Sequence, residues 1–319
     1  EMNQIDWHSY IPLIFLVIIV APITVINWFQ DFYGSSFTSL IALIYASLIG
    51  VVAHSFNQEY RYSFGIGVGI STFLIMCYIL LSGELFATVA RFAFLSVNPN
   101  TLSLYSICAC FIISLFYPKG LIRYFLILSA FFYGSIALSD SFYLAIVLGL
   151  LVSFISFAQW KGFLLAFILI AILLISIILI NSELNPITSM IDLWNQADQG
   201  GSRLTLLKNG IVAYLSSPFI GHGAGAFSGH YHAFDRFEAH NTYIDLLTIG
   251  GPVLMLTFII PLLATMLYLH RNKEYLTLAF LVAVLFFSFF HFTARHPIIW
   301  SVWGFCLSII YSNQFKAVK

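Results

Sequence analysis

The sequence predicts an all-α polytopic membrane protein of about ten transmembrane helices with one long extracytoplasmic loop. Three observations carry that prediction. Of 319 residues 61% are apolar and 8% charged, and the mean hydropathy is +0.96, whereas soluble domains average about 25% charged residues. The apolar runs are membrane-helix length, not the alternating ten-residue segments of a transmembrane barrel. One long polar interruption, Glu183 to Asn241, breaks the pattern.

The spans fall at about 11–28, 37–56, 64–82, 101–117, 121–138, 142–158, 163–181, 242–269, 275–293 and 298–313, each near the ~20 residues a bilayer needs. Residues 1–319 form a single transmembrane domain, and 182–241 form the loop. Very short turns, Ala137 to Ser141 and Gln159 to Gly162, join two pairs of spans. The eighth span is long and contains Gly250-Gly251-Pro252 and Pro261, which predicts tilt or a kink. The first apolar run has no basic region before it and no small-residue cleavage site, so it is not read as a signal peptide. No repeat or soluble domain interrupts the series. Cys77, Cys108, Cys110 and Cys306 all lie in spans. Cys108 and Cys110 point different ways on a helix, so neither a disulfide nor a metal site follows. Zero net charge argues against a nucleic-acid partner.

Orientation follows from lysines and arginines on alternate sides. One side collects Arg61, Lys119, Arg123, Lys161, Arg271, Lys273, Lys316 and Lys319; the other collects Arg91, Arg203, Lys208, Arg236 and Arg295. Both termini are then cytoplasmic and the loop faces outward. The outer side also holds His222, His230, His232, His240, His291 and His296.

Within the loop, Leu204, Leu207, Ile211, Tyr214 and Leu215 recur at helical spacing until Ser216-Ser217-Pro218. That predicts an amphipathic helix over 202–215, lying on the outer membrane surface. Gly221-His222-Gly223-Ala224-Gly225 reads as a turn, since it lacks the Gly-Lys-Ser/Thr ending of a nucleotide loop. Arg203, in the first turn, is disfavoured by the helix dipole. A bound anion would hold it, and its planar fork suits phosphate; snorkelling to lipid headgroups is the plainer reading. His240 precedes the eighth span, with Asn241 as helix cap and Asp245 one turn in. A helix N-terminus keeps such an imidazole neutral and able to take a proton, although an interfacial histidine beside an ordinary cap has the same pattern. Arg91 lies two turns after Glu84, where the two could pair, or where Arg91 could join Arg203 on a diphosphate. Asn241, Lys208, Arg236, His222 and Tyr243 are the candidate substrate-binding residues. No zinc spacing accompanies His222, His230 and His232, so no metal and no cofactor is expected.

Three stretches resemble the O-antigen ligase and polymerase superfamily of bacterial membrane glycosyltransferases. They are Arg91 to Asn100 with its Asn98-Pro99-Asn100; Ser202-Arg203-Leu204 leading to Pro218, Gly221, Gly223, Gly225 and Phe227; and His240-Asn241 followed by Leu246-Leu247 and Gly250-Gly251. They run in order across roughly residues 85–270. The resemblance implies a GT-C-like fold and a donor glycan on undecaprenyl diphosphate at the outer face of the inner membrane. It implies transfer to an acceptor hydroxyl on lipid A-core, a growing glycan or a protein. It also implies His240 as base or acceptor-positioning group, and Arg203 and Arg91 on the diphosphate. Departures are Ser139-Asp140, where the family often has Ser-Arg, and Gly251-Pro252-Val253-Leu254, which keeps the final glycine pattern only in part. Ten spans are also fewer than many relatives have, as if an amino-terminal pair were missing.

Two other classes fit the sequence less well. A polysaccharide-intermediate transporter or flippase would place ionisable groups in mid-span, yet nearly every charge here falls at a span end or in a loop, Asp245 being marginal. An intramembrane protease would need a Ser/His or His/Glu pair within spans, and none is recognisable.

Overall fold

The computed structural model describes residues 10–29, 36–56, 58–82, 98–137, 139–157, 199–225 and 238–317. All regular structure among them is helical. The helices are α1 (Ile11–Phe15), a π-helical stretch (Leu16–Val20), α2 (Ala21–Phe29), α3 (Ser36–Ser55), α4 (Gln58–Ser82), α5 (Pro99–Phe116), α6 (Leu121–Ile136) and α7 (Asp140–Phe157). They continue as α8 (Gln199–Ser216), α9 (Thr242–Arg271), α10 (Tyr275–Phe287) and α11 (Pro297–Ala317). By length and composition four can cross a membrane, with windows at Thr38–Ser55, Gln58–Ser82, Pro99–Phe116 and Thr242–Arg271; five further apolar helices are shorter. The expected span at 163–181 lies outside the described residues. The ninth expected span, 275–293, stops at Phe287. Residues 288–296 instead form a turn-rich segment, because Ser288, His291 and Thr293 use their polar groups on neighbouring backbone and hydroxyls.

Contacts divide the chain into two compact units: Glu1–Phe56 with Asp198–Leu267 and Ser288–Lys319, and Asn57–Ala197 with Tyr268–Phe287. In the first unit α3 packs on α11. Their approach needs glycine: a Cβ on Gly304 would lie 2.1 Å from the Gly50 carbonyl oxygen. Without a hydrophobic force between helices in lipid, such small-residue contact is what lets backbones interlock. The Thr265 hydroxyl donates to the Cys306 carbonyl (3.2 Å) and the Trp303 indole to the Thr257 carbonyl (3.2 Å), joining α9 to α11 over buried Phe258 and Trp300.

The expected kink in α9 is a true interruption. Gly250 (φ −140°) and Gly251 (φ +67°) leave the helical conformation just before Pro252. Broken helix carbonyls inside a bilayer require partners. His222 donates its backbone N–H to Thr248 (2.7 Å) and Gly223 to Ile249 (3.0 Å), so the glycine turn of the loop repairs the break. The fit is tight: a Cβ on Gly251 would lie 2.2 Å from the Phe219 carbonyl oxygen. The Thr24 hydroxyl of α2 accepts the Ala224 N–H (2.7 Å), fixing the far end of that turn.

In the second unit α5 and α6 form an antiparallel pair, α4 covers both, and α10 packs on α7 and α5. Asn98 caps α5 by accepting the Asn100 N–H (2.8 Å), with Pro99 in the first turn. Ser106 donates to Ala130 (2.7 Å) beneath Gly134, where any Cβ would collide with Ser106. Arg61, Lys119 and Arg123 share one end of this unit: Gly65 of α4 abuts Phe116, and Arg123 donates to the Ser114 carbonyl (3.2 Å). The lysine and arginine count assigns these three residues to one side as well.

Candidate functional site

The start of α9 is built by residues that hold backbone amides. Asn241 caps it: its side-chain oxygen accepts from Tyr243 N–H (3.1 Å) and Ile244 N–H (3.2 Å). The Asp245 carboxylate reaches back to accept from Ala239 N–H (2.8 Å) and Asn241 N–H (3.2 Å). Two anchored residues therefore flank His240, which takes φ +51°. A non-glycine residue there is strained, by about 1–3 kcal/mol, and persists only where its surroundings over-determine it.

The segment 288–296 is stitched to this cap. The Asn241 amide donates to the Phe289 carbonyl (3.0 Å), and the Thr242 N–H to Ser288 (2.9 Å). The Thr242 hydroxyl donates to the His291 carbonyl (2.6 Å) and accepts from Thr293 N–H (2.8 Å). Tyr243 lies over Phe289 with ring centroids 4.3 Å apart. Arg295 of this segment pairs with Glu238, two residues before His240.

Helix α8 closes on the same point. A Cβ on Gly210 would meet Ala239 Cβ at 2.7 Å and Ile244 Cγ2 at 2.8 Å. Leu206, Gly210 and Ala213 form its buried face, and Arg203, three residues before Leu206, continues that face. The helix starts at Gln199, earlier than expected. Arg203 thus sits beyond the first turn, and the dipole penalty expected there is reduced, since the effect fades within one turn. Lys208 lies on the opposite, exposed face.

The electrostatics agree with this geometry. Burial holds the His240 imidazole below its ordinary value; Glu238 opposes, and Arg203 and Arg295 push further down. Burial, then Arg203, His240, His296 and Arg295, take His291 down to about 3. Burial, then Arg295, take His296 to about 4. Three neutral imidazoles thus share a neighbourhood with two guanidiniums, an arrangement able to hold an anion and accept a proton.

Of the residues expected in a site, the structure gathers Arg203, His240, Asn241 and Tyr243. His222 is engaged elsewhere: its Nε2 donates to the Ala213 carbonyl (2.8 Å) near the end of α8 and lies 3.0 Å from the Ser216 hydroxyl. Arg91 and Arg236 lie outside the described residues. Among the described residues no three His, Cys, Asp or Glu side chains gather as a metal-holding group. Sequence reasoning placed His291, Arg295 and His296 on the outer side but did not join them to the site, and it passed over Glu238. The signal was present in the polar density of His291-Phe-Thr-Ala-Arg-His-Pro297 at the end of an apolar run.

Fold and site define a polytopic helical membrane protein that brings histidines and arginines together at the start of a spanning helix. Residues 124–259 match the family model described as O-antigen ligase, a match that supports the likeness to the O-antigen ligase and polymerase superfamily. The matched segment runs from α6 through the first half of α9 and includes Arg203, His240 and Asn241. A search of curated proteins finds no match.

Proposed function

We propose that this protein transfers a glycan from undecaprenyl diphosphate to an acceptor hydroxyl at the periplasmic face of the bacterial inner membrane, as an O-antigen ligase or an O-antigen or exopolysaccharide polymerase. The observation that carries the reading is that the helix bearing Arg203 packs through Gly210 on Ala239, next to His240, whose imidazole feels the Arg203 charge, inside the segment that matches the O-antigen ligase family. The acceptor oxygen attacks the anomeric carbon of the first sugar, and the bond from that carbon to the diphosphate oxygen breaks. The hydroxyl proton passes to the neutral His240 imidazole. Arg203 and Arg91 take the negative charge that develops on the departing diphosphate. Asn241 and Tyr243 frame the acceptor side, and Lys208 and Arg236 steer the anionic donor. The ten-span topology, with the 182–241 loop outside, belongs to the same reading. So does independence from metal: a chelator is expected to leave activity intact.

A deletion strain complemented with variants tests this. His240→Ala, Arg203→Ala and Arg91→Ala should each abolish glycan transfer at normal expression; wild-type transfer in any of them removes that residue from the site. The lipopolysaccharide ladder of the deletion separates the subtypes. Uncapped core with accumulated lipid-linked polymer marks a ligase, and core bearing one repeat marks a polymerase.

A further inference from the structure

We propose that Arg295 is a further anion-binding guanidinium of this site, beside Arg203 and Arg91, held by Glu238 until a phosphate group takes the carboxylate's place. The inference rests on the diphosphate reading above and adds to it a residue and an exchange.

The Glu238–Arg295 pair is not what fixes the local backbone. Residues 238–241 are pinned by Asp245 through Ala239 and Asn241. Residues 288–296 are pinned by four bonds to Asn241 and Thr242. Both chains would keep their course if the two side chains parted. The pair is open to water on the Arg295 side: Arg295 is 45% exposed, and Glu238 18%. Solvent competes for the exposed guanidinium, and ordering two long side chains offsets part of what the pair gains. The diphosphate diester, dianionic as a whole, offers the same planar fork more charge and more acceptor oxygens than a carboxylate.

The surrounding charges fit an exchange. Segment 238–241 brings Glu238 and His240, α8 brings Arg203, and segment 288–296 brings His291, Arg295 and His296. Asp245 of α9 faces the same backbone, with both carboxylate oxygens engaged by amides. Glu238 is thus the carboxylate that an arriving anion would meet. Paired with Arg295 it is neutralised in the empty pocket. Released, it stands near His240, where its charge favours a protonated imidazole. Binding of donor and readiness to accept a proton would thereby be coupled through one carboxylate.

The test is inorganic pyrophosphate binding to the full-length purified protein, by calorimetry, for the wild type, Arg295→Gln, Glu238→Gln and Arg203→Ala. Arg295→Gln should weaken binding about tenfold, the scale of one charge-assisted contact. Glu238→Gln should tighten it several-fold, because the competitor is gone. Opposite signs are the signature of exchange. If both variants weaken binding, the pair is a brace; if Arg295→Gln binds as the wild type does, Arg295 does not touch the anion. Either result overturns this proposal and leaves the diphosphate reading standing. Wild-type affinity in Arg203→Ala removes Arg203 from the proposed pocket, whatever the other two do. Absence of wild-type binding overturns both.

Discussion

Asn241 and Asp245 cap one helix from opposite directions. Asn241 reaches forward to the amides of Tyr243 and Ile244, and Asp245 reaches back to those of Ala239 and Asn241. The residue enclosed by this double clasp, His240, is pressed into a left-handed conformation. The cap of α9 therefore both ends a loop and aims an imidazole.

Replacing Asp245 with Asn should show that aim. An amide can accept only through its oxygen, so one of the two backbone amides loses its partner. The expected loss is about 1–3 kcal/mol, as for a stranded buried donor. It is read as a lower Tm in detergent together with reduced transfer. Transfer at the wild-type rate would detach the clasp from catalysis.

His240→Gly and His240→Ala should separate strain from chemistry. Glycine accepts φ +51° without a Cβ penalty, so its Tm should equal or exceed that of His240→Ala by the equivalent of about 1 kcal/mol. Both should lose at least ~10²-fold in transfer rate, the smallest effect usual for removing a general base. Comparison of thermal melts with cell-surface glycan measures the two effects separately.

The pH profile has a defined sign. Burial first, opposed by Glu238 and helped by Arg203 and Arg295, lowers the His240 pKa, so the neutral base persists below the ordinary histidine value near 6.5. Transfer should hold as pH falls through 6.5 and fail only lower. Stability moves first. His291 and His296, at about 3 and about 4 when folded, bind protons more readily in the unfolded chain. Their contribution is complete above about pH 6.5 and is lost progressively as pH falls toward those folded values. A Tm series from pH 7.5 to 4.5 should slope downward with acid. His291→Gln should flatten it.

Gly210→Ala sets two effects against each other. In an exposed helix interior the change stabilises by roughly 0.5–1 kcal/mol. Here the new methyl would meet Ala239 and Ile244 at 2.7 and 2.8 Å, and both are held by the α9 cap. The clash should win, with lower Tm and with transfer reduced through a displaced Arg203. A stabilised, fully active variant would show that α8 is free to move away.

Much was legible along the chain. Long apolar runs marked most helices to within a few residues, because a lipid-facing or core helix must be apolar over its whole length. Gly250-Gly251-Pro252 announced the break in α9, since no helix continues smoothly through that sequence. The amphipathic spacing after Ser202 located α8, although it set the start too late by missing the turn from Gln199, which carries no apolar periodicity. The capping role of Asn241 and the nearness of Asp245 were also readable, being local.

What the sequence by itself determined is where helices form and which short polar stretches stand apart from lipid, because both follow from hydropathy and propensity over neighbouring residues. Only the tertiary structure decided that a glycine turn at 221–223 repairs the break in α9, that the expected ninth span ends at Phe287, and that Glu238 meets Arg295 across more than fifty residues of chain. Those are pairings between distant segments, chosen because buried amides and carbonyls must find partners wherever the fold brings them, and no local pattern records which partner that is.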